Sequence, residues 1–308
     1  MKRLHDHVDD YLTMRRALGF KLVLDGRVLP QLVDYLEAAG ATTVTRDLAV
    51  SWAQLNAAAH PRHWAKRLVI ARGFASYLQT IDPAAEVPPD NVFAVRYQRP
   101  TPYLWSYVDV GRLLQAAERM RPGLKAATYS TLFGLLAATG MRVGEAITLD
   151  REDVDLDAGL ITIHAHTAKH DRARLVPLHP TTTDALKRYA TTRERLSPQP
   201  VSRAFLLTSI GKRVHPTSVC QIMRRLTTEL GLRTATVHPR AHDLRHTFAV
   251  NTLLEQQRSG APVDGRIADL STYLGHINPA NTYWYLTATP ELMQAAAERL
   301  NARFGDPS

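Results

Sequence analysis

The sequence predicts a mainly α protein with one small antiparallel β-sheet, an α+β fold in two domains. Three observations carry that expectation. Apolar residues recur at three- and four-residue spacing through most of the chain, the period of an amphipathic helix. One stretch alone, 160–178, switches to the alternation of paired strands. A proline-rich basic segment at 96–104 interrupts a chain of 308 residues, a length for which about two domains is the ordinary expectation.

Four helices are expected before that segment. Val8 to Leu18 and Leu29 to Ala39 carry the helical apolar spacing, and Gly40 stops the second. Thr45 is a suitable N-cap for a third helix running to Ala59. Pro61 opens a fourth, Arg62 to Thr80, with Trp64, Leu68, Ile70, Ala71, Phe74 and Leu78 as its apolar members. Arg62, Lys66, Arg67 and Arg72 make that helix basic, and a solvated face accounts for four such charges without any partner. Asp82-Pro83 and Val87-Pro88-Pro89-Asp90 then break helix, so residues 1–95 form one helical domain and 96–104 an extended linker.

The second domain, 105–308, opens with helices over Ser106 to Arg119 and Lys125 to Thr139, with Gly140 as the C-terminal glycine. Val143 to Leu149 is again helical. Leu160 to His166 and Ala173 to Leu178 alternate as two strands, joined by the polar turn Thr167 to Arg172. Helical patterns return at 181–195, 216–230, 242–257 and 264–274, and Pro290 to Phe304 reads as a last amphipathic helix.

Composition narrows the function. Hydrophobic residues make up 45% and charged residues 22%, enough to bury a core and too apolar for a mainly disordered chain. The formal charge is +9 and the isoelectric point near 9.8. Of 38 basic residues only seven are Lys, and the Arg fork suits bidentate phosphate contacts. A nucleic acid is therefore the expected class of partner. One cysteine, Cys220, excludes an intrachain disulfide framework and a cysteine zinc ribbon, and its amphipathic surroundings predict a buried filler. The N-terminus has no apolar run behind it and no window approaches a membrane span, so no membrane partner and a cytoplasmic, nucleoid-associated location are expected. No phosphate-binding P-loop or dinucleotide glycine motif is present, which leaves ATP-driven and hydride chemistry unsupported.

Four segments could carry chemistry. They are Thr139-Gly140-Met141-Arg142-Val143-Gly144-Glu145, the turn with Lys169 before Arg174-Leu175-Val176-Pro177-Leu178, His242-Asp243-Leu244-Arg245-His246, and Leu274-Gly275-His276 followed by Tyr283-Trp284-Tyr285. Singly each has an ordinary explanation. Arg142 and Glu145 can be a helix-surface pair, a turn lysine is usually solvated, His242 and Arg245 can be a structural cluster, and Tyr285 beside Trp284 can be core.

As an ordered set, Arg, turn Lys, His-x-x-Arg, His and then Tyr nine positions on resembles the tyrosine recombinases, the phage integrase family. The resemblance covers most of 105–308; residues 1–95 match only in character, as that family's helical core-binding domain. It implies cleavage of one DNA strand by a tyrosine, leaving a 3′-phosphotyrosyl bond and a free 5′-hydroxyl, with no metal, cofactor or ATP. Carried over residue by residue, Arg142 and Arg245 would clamp the non-bridging phosphate oxygens. Lys169 would protonate the leaving 5′-oxygen, His242 would act as acid/base partner, and His276 would donate to the phosphate. Tyr285 would be the nucleophile, and Glu145 would orient the site from behind. Tyr283 stands two residues before Tyr285, about 200° away on a helix, and the nine-residue spacing from His276 selects Tyr285.

The resemblance further implies double-stranded DNA as partner and a homo-oligomer on DNA, a tetramer in the synapse, alone or with related recombinases. Arg62, Lys66, Arg67 and Arg72 become phosphate contacts, with the two domains closing as a clamp on the duplex. The tail from Glu291 to Phe304 would dock on a neighbouring protomer or on its own domain. The span from Arg245 to His276 is long, and Gln256 to Asp264 reads as an inserted loop. Three rival readings remain: a zinc enzyme drawing on His164, His166, His170 and the i, i+4 pair His242 and His246, a type IB topoisomerase, and a catalytically silent DNA-binding accessory protein.

Overall fold

In the computed structural model the chain falls into two compact units, residues 1–99 and 100–308. The structure describes residues 2–93, 101–121, 123–165, 173–258 and 263–275. Among the described residues the fold is mostly helical with one three-stranded antiparallel sheet.

The described residues of the first unit form four helices: α1 (Leu4–Ala17), α2 (Asp25–Ala38), α3 (Arg46–Ala53) and α4 (Pro61–Leu78). α1 starts four residues before its expected onset because Asp6 turns back to accept the Arg3 backbone N–H at 3.0 Å, capping the first turn. Thr45 caps α3 as expected, its hydroxyl accepting from the Leu48 N–H. α3 then ends at Ala53, six residues short of the predicted Ala59. His60 precedes a proline, which disfavours helical backbone there, and instead caps α4 by accepting the Arg62 N–H. The Trp64 indole N–H donates to the Asn56 carbonyl at 2.9 Å and ties down the intervening turns. Leu29, Leu32, Leu36, Trp52 and Phe74 are fully buried at the centre of this unit.

The second unit runs α5 (Tyr107–Glu118), α6 (Leu124–Thr139), α7 (Val143–Thr148), β1 (Val154–Asp155), β2 (Leu160–Ile163), β3 (Arg174–Pro177), α8 (Pro180–Leu196), α9 (Pro216–Glu229), α10 (Ala241–Arg258) and α11 (Val263–Leu274). α6 is apolar on all sides and packs against α5, α8 and α10, which makes it the central helix. The sheet order is β1-β2-β3, with Val154 opposite Ile161 and Ile161 opposite Val176. Those three side chains and Ile163 are buried, so one face of the sheet lies on the core.

Four expectations are corrected. β1 was not expected; two residues are too few to show a period. β2 ends at Ile163 rather than His166, and residues 166–172 lie outside the described residues. Cys220 is exposed: Val219, Ile222, Met223, Leu226 and Thr227 form the buried side of α9, and position 220 falls on the other. The stretch read as an inserted loop is helical at both ends, since α10 continues to Arg258 and α11 begins at Val263. Ala249, Val250 and Leu253 of α10 pack with Ile267, Leu270 and Leu274 of α11 in a small core of their own.

The expected linker falls partly on residues 94–100, and the expected tail helix wholly on 276–308, both outside the described residues. Among the described residues no helix is long and apolar enough to cross a membrane.

Candidate functional site

Two helices of the second unit end, and two begin, around one point. α6 closes with Gly140 in the left-handed region, φ 61° and ψ 15°. Only glycine fits, because a Cβ there would stand 2.5 Å from the Phe248 ring. α11 closes in the same way with Gly275, φ 66°. α7 opens with Arg142 at its N-cap, and α10 brings Arg245 on its second turn.

Arg245 is 1% exposed. Its Nη1 donates to the Gly140 carbonyl at 2.9 Å and its Nη2 to the Leu274 carbonyl at 2.7 Å. Both acceptors lie at helix C-termini, where unsatisfied carbonyls carry negative partial charge. That pairing is what makes a buried guanidinium tolerable. At the start of α10, buried Asp243 accepts from the backbone and side chain of Arg240, which fixes the turn that presents His242. His242 is exposed, its ring edge-on to His246 with centroids 4.7 Å apart.

Glu145 sits behind these cations, 2% exposed. It accepts from the Arg142 backbone N–H at 2.9 Å and from Arg142 Nη1 at 2.8 Å, while Arg142 Nη2 donates to the Gly275 carbonyl at 3.1 Å. From β3, Arg174 adds a bidentate fork, Nη1 to Oε1 at 3.1 Å and Nη2 to Oε2 at 2.7 Å. Burial alone would raise the Glu145 pKa. The hydrogen bonds and charge of Arg174, then of Arg142, outweigh it and hold the carboxyl at about 2. Tyr273 stacks on Phe248 at 5.7 Å; burial raises its phenol, against the opposing pull of Arg174 and Arg245.

The structure thus brings Arg142, Glu145 and Arg245 together, with His242 one helical turn before Arg245. It adds Arg174, which the sequence placed in the strand segment after the Lys169 turn without giving it a role of its own. Three guanidiniums and one carboxylate leave a surplus of two positive charges among the described residues. Such a site attracts an anion. Lys169, His276 and Tyr285 lie outside the described residues. Among the described residues no three His, Cys, Asp or Glu side chains converge as a metal site requires.

In the first unit the four basic residues of α4 divide. Arg67 lies over the Trp52 ring, its guanidinium carbon 3.9 Å from the centroid, and Arg72 pairs with Asp90. Arg62 and Lys66 are exposed, one turn apart on a stripe that continues through exposed Val69.

Comparison with known proteins gives the following. The phage integrase family profile matches residues 107–291. A protein of Sinorhizobium fredii (strain NBRC 101917 / NGR234), named as an integrase/recombinase (y4rB), is 40% identical over 314 residues, covering 99% of both chains. Tyrosine recombinase XerC of Alcanivorax borkumensis (strain ATCC 700651 / DSM 11573 / NCIMB 13689 / SK2) is 28% identical over 71% of this chain and 67% of its own. Among solved structures, XerH site-specific recombinase bound to palindromic difH substrate matches with a TM-score of 0.63 at 19% identity, covering 88% of this chain and 77% of that one. The Tn1549 transposon integrase in complex with a circular intermediate DNA matches with a TM-score of 0.64 at 16% identity, over 96% and 99%.

Proposed function

This chain belongs to the phage integrase family and is a site-specific DNA recombinase, and from that premise we propose that it cuts and rejoins DNA strands through Tyr285 at the arginine cluster of its second unit. The observation that carries this reading is the surplus of positive charge built from Arg142, Arg174 and Arg245 against the single carboxylate of Glu145.

The chemistry follows from the charges. A phosphodiester is anionic and gains further charge in the pentacoordinate transition state, so preorganised donors aimed at its non-bridging oxygens lower the barrier. Arg142 has five N–H groups on its guanidinium and uses two among the described residues, which leaves donors for phosphate. Arg245 is locked by two backbone carbonyls, so little ordering entropy is lost when phosphate binds. The Tyr285 hydroxyl attacks phosphorus, the 5′-oxygen departs, and the 3′-phosphotyrosyl link keeps the bond for the later rejoining. A phenol titrates near 10, so an electropositive site and a proton acceptor are needed to activate it. His242 is the acid/base partner, and Lys169, five residues before Arg174 in the sequence, protonates the leaving oxygen. His276 follows Gly275, whose carbonyl Arg142 grips, and donates to the phosphate.

In this reading residues 1–95 form a helical DNA-binding domain, 96–104 a linker and 105–308 the catalytic domain. Double-stranded DNA is the partner, contacted also from α4 by Arg62, Lys66, Arg67 and Arg72. The protein works as a homo-oligomer on DNA, in the cytoplasm. To test it, wild type and Tyr285→Phe are expressed in cells, lysed in detergent, and the DNA covalently attached to the protein is sequenced. Adducts in wild type that vanish in the variant are the expected result; adducts in both, or in neither, contradict it.

A further inference from the structure

We propose that Arg174 is a positioning residue of the cleavage site: it serves as counterion to Glu145 so that the charge of Arg142 stays available to the phosphate. The inference rests on the reading above. Its ground is the geometry around one buried carboxylate. Glu145 is a single negative charge between two guanidiniums, Arg174 from β3 and Arg142 from the start of its own helix. Among the described residues those are the charged groups that pair with it. Arg174 takes both carboxylate oxygens in a fork, the geometry in which arginine and carboxylate pair best. Arg142 Nη1 reaches one oxygen only, and its Nη2 is turned to the Gly275 carbonyl.

The four groups close a ring. Arg174 grips Glu145, Glu145 grips Arg142, Arg142 grips the Gly275 carbonyl, and Arg174 lies against Gly275 itself. A Cβ at 275 would stand 3.0 Å from Arg174 Nη1 and 3.6 Å from Arg142 Nη1, so glycine leaves room for both guanidiniums. Arg174 therefore bears on Arg142 from two sides, through the carboxylate and through the corner that precedes His276. Without Arg174, a buried carboxylate must be neutralised by Arg142 alone or take up a proton. The first draws Arg142 off the phosphate; the second leaves it without an anchor. Either way the cost falls on strand cleavage and depends on pH.

The test uses purified full-length protein and a duplex carrying the sequence recovered from wild-type adducts. Single-turnover adduct formation is followed from roughly pH 5 to 9 for wild type, Arg174→Met, Arg174→Lys and the double variant Arg174→Met/Glu145→Gln, with thermal melting as the check on folding. Arg174→Met is expected to cleave about 10- to 100-fold more slowly. Its rate profile gains an acid limb beyond the pH dependence that wild type and every variant share through His242, as Glu145 titrates at higher pH. Arg174→Lys removes that limb and recovers part of the rate, and the double variant, with no carboxyl to titrate, has no such limb. A rate for Arg174→Met within about twofold of wild type, or a slower rate with the wild-type pH profile, overturns the proposal, because packing alone has no reason to titrate. If Arg174→Met does not fold, Arg174→Gln is decided on the same two readouts. Absence of adducts from wild type itself overturns the parent reading, and this one with it.

Discussion

Two groups of basic residues in this chain are built in opposite ways. α4 carries Arg62, Lys66, Arg67 and Arg72 within eleven residues. The arginine cluster of the second unit gathers Arg142, Arg174 and Arg245 from separate stretches more than a hundred residues apart at the extremes. In α4 the side chains spread outward or find single partners: Arg67 stacks on Trp52, Arg72 pairs with Asp90, and Arg62 and Lys66 reach solvent. In the cluster every guanidinium is held, Arg245 by two helix-end carbonyls and the other two by one buried carboxylate. The lesson concerns orientation. Exposed cations hold an anion from many directions and contribute mainly affinity, which salt screens. Cations fixed in a dry site can be aimed at one oxygen and contribute rate.

Substitutions sharpen that contrast. The largest effect is expected at Arg245. Arg245→Met leaves the Gly140 and Leu274 carbonyls without their partner, which costs about 3 kcal/mol of stability, and it abolishes adduct formation. A melting curve and the adduct assay read the two losses, and a variant that melts like wild type removes the claim that the carbonyls depend on this side chain.

Glu145 comes next, with a sign fixed by its titration. Its folded pKa of about 2 lies below the usual 4.5. The stability it contributes is therefore present above pH 4.5 and is lost as the pH falls toward 2, about 3 kcal/mol in all. Glu145→Gln should melt below wild type at neutral pH, and the gap should close through that acid window. A gap that stays constant with pH would mean that the amide costs packing and not charge.

The smallest effects belong to α4, where neighbours on one helix should separate. Arg67→Ala loses its stacking on Trp52 and about 1 kcal/mol of stability. Lys66→Ala leaves the melting point alone and lowers the salt dependence of binding to a mixed-sequence duplex by about one phosphate contact. Equal salt slopes for Lys66→Ala and wild type strike Lys66 from the DNA-contacting surface.

What could be read in the sequence follows from the range of the forces involved. The helices were legible because 3.6-residue periodicity is local, and α8 and α9 differ from expectation by a residue or so at their ends. The end of α3 at Ala53 was not, since it depends on how His60 and Trp64 compete for the following turn. Arg142, Glu145 and Arg245 stood out through motif spacing. Arg174 did not, because its meaning lies in a partner 29 residues away on another element, Glu145 of α7. Gly140 was legible as a helix stop, but its second reason, the Phe248 ring against its Cα, is tertiary. Cys220 was misread because an amphipathic stretch does not tell which of two neighbouring positions faces inward.

The central claim is that a tyrosine beyond Gly275 becomes covalently joined to DNA, and the peptide itself can report it. Trypsin cuts after Arg266 and Arg299, with no Lys or Arg between, so one peptide spanning 267–299 holds Tyr273, Tyr283 and Tyr285. Adducts from wild type are digested with nuclease and trypsin, and the mass of the nucleotide remnant is located by fragmentation. The remnant on Tyr285 is the predicted result. A remnant on Tyr283 or Tyr273, or on a peptide other than this one, contradicts the assignment.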